Sequence, residues 1–340
     1  MRVLFIGGTG TISSAISRRL AENGCELYLL NRGTRNDGLP STIKFIQADI
    51  NNEADVAKKI EGMTFDVVCD FIGFVPEQLE RDFRLFQNKT RQFMYISSAS
   101  AYHKPVKSPY ITEGTSLANP YWGYSRNKIA CEDFLMKMYR EHGFPVTIVR
   151  PSHTYCELSA PLGVHGKKGS WQVIKRMMEG KPVIIHGDGT SLWTMTHNED
   201  FAKGFVGLMG NPQAIGEVFQ ITSDESLTWN QIYKMIADYL GVPFKPYYVA
   251  SDFLAKAAPK GYDLTGGLIG DKANTVIFDN SKVKRAVPGF QATIRLEEGM
   301  KRTLDYILSH KECQTEDEEF DRWCDKVIGV LEKAKEEILS

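Results

Sequence analysis

The chain is short of the features that mark most specialised protein classes. Its 340 residues include only six cysteines, at 25, 69, 131, 156, 313 and 324, and no two form a C-x-x-C pair. That scatter argues against a disulfide framework and fits reduced thiols. Cys25 and Cys69 fall in apolar, strand-like runs and read as small core residues. No His, Asp, Glu or Cys grouping has metal-ligand spacing, so no metal is expected. No apolar run is long enough to span a bilayer. Neither sign of charge dominates, with Lys plus Arg at 41 and Asp plus Glu at 42. A basic, nucleic-acid-binding surface is therefore not expected. Internal repeats and low-complexity linkers are absent. Met1-Arg2-Val3-Leu4-Phe5-Ile6 runs straight into a glycine loop, which predicts a cytoplasmic chain with no signal peptide.

What is present is an alternation of strand and helix. Val3–Ile6, Glu26–Leu30, Ile43–Ile46, Phe65–Cys69, Gln92–Ile96 and Val146–Val149 read as strands. Ser13–Asn23 and Trp122–Glu141 read as helices. The pattern predicts an α/β, doubly wound parallel sheet of Rossmann type with right-handed crossovers. Residues 1–150 are expected to form an NAD(P)-binding domain. Residues 151–310, with short helices at Trp171–Met178, Asn198–Met209 and Asn230–Leu240, read as a smaller mixed α/β substrate lobe interleaved with that core. Residues 311–340 form a charged amphipathic helix over Thr315–Leu339. Phe320, Trp323, Val327, Leu331, Ala334 and Ile338 make one apolar stripe on it. The stripe either packs on the chain's own body or makes a dimer contact.

Gly7-Gly8-Thr9-Gly10-Thr11-Ile12-Ser13 follows the first strand and opens the first helix. Gly7 permits a sharp turn, and Gly10 lets backbone approach a pyrophosphate. The helix N-terminus then offers N–H groups and a positive dipole end. Ser13 takes the place of a third glycine and is still small. The second strand ends at Asn31-Arg32-Gly33 without the acidic residue that would bind the adenine ribose of NAD. Arg32, with Arg35 nearby, can pair with a 2′-phosphate, which tilts the cofactor from NAD towards NADP. Asp49, before Ile50, either accepts a bond from adenine or caps a turn. The cofactor-binding candidates are Gly7, Thr9, Gly10, Thr11, Ile12, Asn31, Arg32, Asp49, Ile50 and Lys128.

Tyr124 and Lys128 stand four apart on the long helix and so share a face. An ammonium near a phenol lowers the phenol's pKa. Tyr124 can then exchange a proton with a substrate hydroxyl while the cofactor takes or returns hydride. Ser98, at the carboxyl end of a central strand, can hold the reacting oxygen. Ser98, Tyr124 and Lys128 are the catalytic candidates. His153, just past a strand end, and Trp193 and His197, in the second lobe, join Ser98 as substrate candidates. Each of these three is as readily explained by packing.

In the order of these motifs the chain resembles the extended short-chain dehydrogenase/reductase family of NAD-dependent epimerases and dehydratases. The similarity covers about residues 1–310 and includes Arg150-Pro151. It implies Ser98, Tyr124 and Lys128 as catalytic residues, a sugar or nucleotide-sugar substrate, and often a homodimer. Ala99 and Ser100 stand where the family's dehydratases carry Asp-Glu, and Ser100 where its double epimerases carry cysteine. Both routes are therefore disfavoured, and Ser98-Ala99-Ser100-Ala101-Tyr102 is most similar to the 4-epimerases.

Two positions depart from the family pattern. Trp193 stands six residues after Gly187, where the family usually has a phosphate-binding arginine. Asp66-Val67-Val68-Cys69-Asp70-Phe71-Ile72-Gly73 replaces its usual strand end. Both features, with Asn31-Arg32-Gly33, resemble an atypical branch that includes chloroplast stem-loop-binding proteins. Three readings stand: a redox-neutral epimerase, a net oxidoreductase, and an RNA-binding or scaffold protein on the same fold.

Overall fold

The computed structural model describes residues 1–34 and 38–340. Arg35 lies outside the described residues. Seven strands form one sheet: β1 (Arg2–Ile6), β2 (Glu26–Asn31), β3 (Lys44–Gln47), β4 (Val67–Asp70), β5 (Phe93–Ile96), β6 (Val146–Pro151) and β7 (Glu217–Ile221). They lie in the order β7-β6-β5-β4-β1-β2-β3. Every pairing is parallel. The helices are α1 (Thr11–Glu22), α2 (Glu53–Lys59), α3 (Pro76–Phe86), α4 (Gly123–His142), α5 (Trp171–Met178), α6 (Asn198–Leu208), α7 (Trp229–Leu240), α8 (Ser251–Ala257), α9 (Ser281–Ala286), α10 (Leu296–Ser309) and α11 (Glu318–Leu339).

The strands are apolar on both faces because both faces are covered. Val3 and Phe5 of β1 pack with Ile16 and Leu20 of α1 and with Phe201 and Phe205 of α6. Leu4 and Ile6 point the other way, towards Val56, Leu79, Leu85, Cys131 and Leu135 of α2, α3 and α4. This is the doubly wound arrangement that the alternation implies. The seventh strand comes from residues 217–221, so the later part of the chain completes the sheet. A third core gathers Trp171, Ile174, Trp193, Trp229, Ile232, Leu304 and Phe320 beyond the strand ends.

Element ends differ from the sequence reading by one to three residues. Phe65, expected in the fourth strand, makes only an isolated bridge to Thr90, and the strand begins at Val67. The last helix starts at Glu318 because the Asp317 carboxylate accepts from the Phe320 N–H and caps it. Its apolar stripe divides in two. Phe320, Trp323 and Val327 are buried on the body, and Trp323 donates to the Ala257 carbonyl. Ala334 and Ile338, at the far end, are exposed. None of the helices among the described residues is long and apolar enough to cross a membrane.

One polar knot crosses the core. Arg150 on β6 grips Glu132 on α4 with two bonds, Nε to Oε1 at 2.9 Å and Nη2 to Oε2 at 2.6 Å. Ser97 at the end of β5 donates to the same Oε1. Both charged side chains are about 4% exposed. Removing one member leaves the other charge buried and unpaired. Glu132→Ala is expected to lower the unfolding free energy by about 3–5 kcal/mol, read as a shift in urea midpoint. The double change Glu132→Leu with Arg150→Met is expected to recover much of the loss; equal losses in both variants would overturn this account.

Candidate active site

The carboxyl ends of the strands open into two clefts that meet. The first, of about 560 Å³, is lined by Gly7, Gly8, Thr9 and Gly10 after β1, Asn31 and Arg32 at β2, and Asp49 and Ile50 after β3. Gly8 has φ +102°, and a Cβ there would lie 2.6 Å from Leu29 Cδ2. Only glycine allows that turn against β2. Gly10 has open space where its Cβ would stand, with only Ser13 Oγ near at 3.7 Å. The cradle thus combines bare backbone with the N-terminus of α1, which suits a dinucleotide pyrophosphate. Asn31 shapes the adjoining turn by accepting from the Gly33 N–H. Asp49 lines the cleft and also accepts from the Asn51 N–H, so it serves as a turn cap there. Arg32 is exposed at the rim. Thr11 begins α1 and lines neither cleft; its carbonyl accepts from Asn198.

The second cleft, of about 400 Å³, is lined by Ser98, Tyr124, Lys128, His153 and Trp193, with Ile12 from the glycine loop. Phe71, just past β4, borders both clefts. Ser98 therefore faces Tyr124, as the motif order implies. Its hydroxyl bonds Ser100 Oγ at 2.9 Å, which in turn accepts from Ser125 Oγ at 2.7 Å. Ser125 follows Tyr124 on α4, so this chain of hydroxyls ties the strand end to the helix. Lys128 Nζ donates to the carbonyls of Gly73 and Ile96, each at 2.7 Å. It also lies 5.8 Å from the centre of the Tyr124 ring.

Electrostatics correct one expectation. Burial pushes the Tyr124 phenol above its ordinary value, and the neighbouring Ser98 hydroxyl pulls it partly back. The ammonium of Lys128, engaged by two carbonyls, does not reverse that direction. Burial also lowers Lys128 itself to about 8. His153 is held neutral, its pKa lowered to about 3 by burial and then by Lys272.

His197 does not reach the cleft. It is 1% exposed and caps α6, its Nδ1 accepting from the Glu199 N–H at 3.3 Å. Its Nε2 lies 3.2 Å from Glu157 Oε1. Glu157, His197 and Glu199 thus come within 4.8 Å of one another, a grouping that the sequence spacing did not disclose. With Nδ1 accepting, Nε2 carries the proton and cannot also bind a metal. The trio reads as a helix cap whose ring lies beside the Glu157 carboxylate, and Arg302 pairs with Glu199 at 3.4 Å.

Sequence reasoning missed Phe71, Phe74, Lys104, Trp122, Thr154, Asp271 and Lys272, all of which line the second cleft. Trp122 was within reach of inference, since it stands two residues before Tyr124. Asp271 and Lys272 were not. They sit in a π-helical segment, Thr265–Lys272, docked on the start of α4. Gly266 lies so close to Trp122 that a Cβ would stand 2.1 Å from the indole Cδ1.

The comparisons with known proteins agree with this geometry. Residues 3–222 match the model of the NAD dependent epimerase/dehydratase family. The chain is 23% identical over 292 residues to 2′-dehydrokanamycin reductase of Streptomyces kanamyceticus, covering 86% of this chain and 80% of that one. It is 26% identical over 255 residues to the chloroplast stem-loop binding protein of 41 kDa b of Arabidopsis thaliana. That match covers 71% of this chain and just under two thirds, 64%, of the relative. Among solved structures, UDP-glucuronic acid 4-epimerase of Bacillus cereus, in complex with UDP-glucuronic acid and NAD, superposes with a TM-score of 0.72 at 22% identity. It covers 91% of this chain and 99% of its own.

A pH dependence follows from the histidines behind the site. His186, 1% exposed against Trp229, has its Nε2 3.2 Å from the Lys272 carbonyl, and burial lowers its pKa from 6.5 to about 4. Below pH 6.5 the unfolded chain takes up protons that the folded chain refuses, so stability falls with pH until about 4. The melting temperature is expected to drop on going from pH 7 to 5, and less so in His186→Gln. A flat profile, or an equal drop in the variant, would contradict this.

Proposed function

Because the chain belongs to the NAD dependent epimerase/dehydratase family, we propose that it is an NAD(P)-dependent epimerase of a sugar or nucleotide sugar, with Tyr124 as its acid/base. The observation that carries this reading is convergence. Tyr124, Ser98 and Lys128 line one cleft, which adjoins a glycine-loop cleft across Phe71.

Gly7, Thr9, Gly10, Asn31, Arg32, Asp49 and Ile50 would hold the dinucleotide, and Thr11 and Ile12 would begin the helix that faces it. A nicotinamide, when bound, supplies the acceptance and return of hydride. The chain's own residues manage the proton. Ser98 orients the reacting oxygen beside the Tyr124 hydroxyl. Tyr124 takes the hydroxyl proton as the substrate carbon is oxidised and gives it back on reduction. Lys128 holds the strand ends with two of its N–H groups and presents positive charge to the phenol. His153 and Trp193 face the substrate, the indole offering a flat surface for a ring.

A second reading is a net reductase. The raised Tyr124 phenol is already a proton donor, which suits protonation of a carbonyl oxygen. The Streptomyces relative is itself a reductase. Mass spectrometry of small molecules released on denaturing the fresh protein separates the two. Stoichiometric NAD or NADP favours the epimerase, and a cofactor lost on washing favours the reductase.

Tyr124→Phe is expected to cut turnover by about a hundred- to ten-thousand-fold while leaving cofactor binding intact. Near-normal turnover of UDP-sugars or ketone substrates by that variant would sink the assignment. Arg32→Ala is expected to weaken NADP more than NAD in a fluorescence titration. Equal weakening would remove the preference for a 2′-phosphate.

A further inference from the structure

Behind Lys128 lie two buried acids that the chemistry above does not use. Asp70 ends β4 and Asp82 lies on α3, and both are fully buried. Asp70 Oδ1 accepts from the N–H groups of Ile72 and Gly73, at 2.8 and 3.0 Å. The carbonyl of that same Gly73 accepts from Lys128 Nζ at 2.7 Å. Acid and ammonium thus hold opposite sides of one residue. Asp82 Oδ1 accepts from Arg81 Nε at 2.8 Å, and Arg81 is committed further, donating through Nη1 to Asn51 Oδ1 at 3.0 Å.

The remaining oxygens of the two acids lack a donor. Asp70 Oδ2 and Asp82 Oδ2 are buried and receive no N–H or O–H among the described residues. Asp82 nevertheless lies within hydrogen-bonding reach of Asp70. Two carboxylates side by side in a dry core repel, and one proton turns that repulsion into a hydrogen bond. Burial and then Asp70 push the Asp82 carboxyl well up, against the pull of Arg81. Asp82 therefore carries the proton, and its O–H donates to Asp70. Asp70, with two backbone N–H groups on its other oxygen, keeps the negative charge.

Among the described residues, no other anion beside Lys128 is free to balance it. Glu132 is bound by Arg150. Burial pushes the Cys131 thiol up to about 11 and raises the phenols of Tyr95 and Tyr124, so all three are neutral. Burial lowers Lys128 to about 8, and Asp70 is the foremost group opposing that fall. We propose that Asp70 is a positioning residue whose carboxylate, backed by Asp82, keeps the Lys128 ammonium charged and in place beside Tyr124. This role rests on the reading of Lys128 as the cation that serves that phenol. Asp70 acts through the lysine and lines neither cleft.

NMR titration of the full chain with isotope-labelled lysine tests this, the Lys128 Cε resonance being assigned by its loss in Lys128→Arg. Asp70→Asn keeps the acceptor for Ile72 and Gly73 and removes only the charge. It is expected to lower the Lys128 titration midpoint by about one pH unit or more. Asp82→Asn copies the protonated acid, accepting from Arg81 and donating to Asp70, and is expected to leave the midpoint close to that of the wild type. A midpoint unmoved in Asp70→Asn, or lowered equally by Asp82→Asn, overturns the proposal. Melting temperature confirms that each variant is folded. If Asp70→Asn does not fold, Lys128→Met reads the same coupling from the other side, because linkage is reciprocal. Without the ammonium, one aspartate carboxyl in isotope-labelled protein is expected to titrate at higher pH; unchanged aspartate titrations refute the role. These titrations need no turnover, so an inactive Tyr124 would leave them standing, and an unmoved Lys128 would leave the Tyr124 chemistry standing.

Discussion

The site depends on a bidentate ion pair that never touches it. Glu132 sits two turns along α4 from Tyr124 and one from Lys128. It is held by Arg150 on β6 and by the Ser97 hydroxyl beside Ser98. Three elements that border one cleft are thus locked at one carboxylate. A buried pair of this kind contributes little net stability, because desolvation offsets attraction. Its value here is geometric. Sliding α4 by one residue along β5 and β6 would strand a charge in the core, so the register between the Tyr124 helix and the Ser98 strand end has one low-energy setting. The Arg150 guanidinium also lies 4.8 Å from the centre of the Tyr102 ring, and Tyr102 donates to Gln220 on β7, which extends the lock to the sheet's edge.

Lys128 shows the same economy. Its two carbonyl bonds join the segment after β4 to the end of β5, so a residue read as catalytic is also a staple between strand ends. The aromatic faces of Phe74, Tyr95 and Tyr124 surround the ammonium. Desolvation lowers it to about 8, whereas the nearby Asp70, Cys131 and Glu132 oppose that fall. The balance leaves the lysine largely charged near neutrality but easily perturbed.

Much of this was legible in the chain. The glycine loop, the strand-end Ser98 and the Tyr124/Lys128 spacing are local signals, and local signals survive folding. Parallel strands buried on both faces read as apolar runs, which is why six of the seven were recognised. The seventh, Glu217–Ile221, was missed because it returns from the second lobe. The substrate side was poorly legible for the same reason. Lys104, Asp271 and Lys272 come from segments that meet only in three dimensions, and a π-helical turn has no sequence period to betray it. His197 was misplaced because position in a lobe says nothing of which way a ring points. Its ring turned towards Glu157 and the start of α6.

The departure at Asp70-Phe71-Ile72-Gly73 has a structural reason rather than being mere drift. Asp70 ends β4 fully buried, and its Oδ1 accepts from the N–H groups of Ile72 and Gly73 at 2.8 and 3.0 Å. A Cβ on Gly73 would stand 2.2 Å from Asp70 Oδ2, so the tight turn requires the glycine. That turn aims the Gly73 carbonyl at Lys128 and sets Phe71 between the two clefts. The carboxylate is in turn backed by Asp82, whose own carboxyl is pushed well up by burial and by Asp70, and which Arg81 holds at 2.7 Å. A proton held on Asp82 avoids two adjacent negative charges. The unusual strand end therefore builds the floor on which the lysine stands. The acid pair, the glycine that the turn requires and the directed carbonyl thus converge on Lys128.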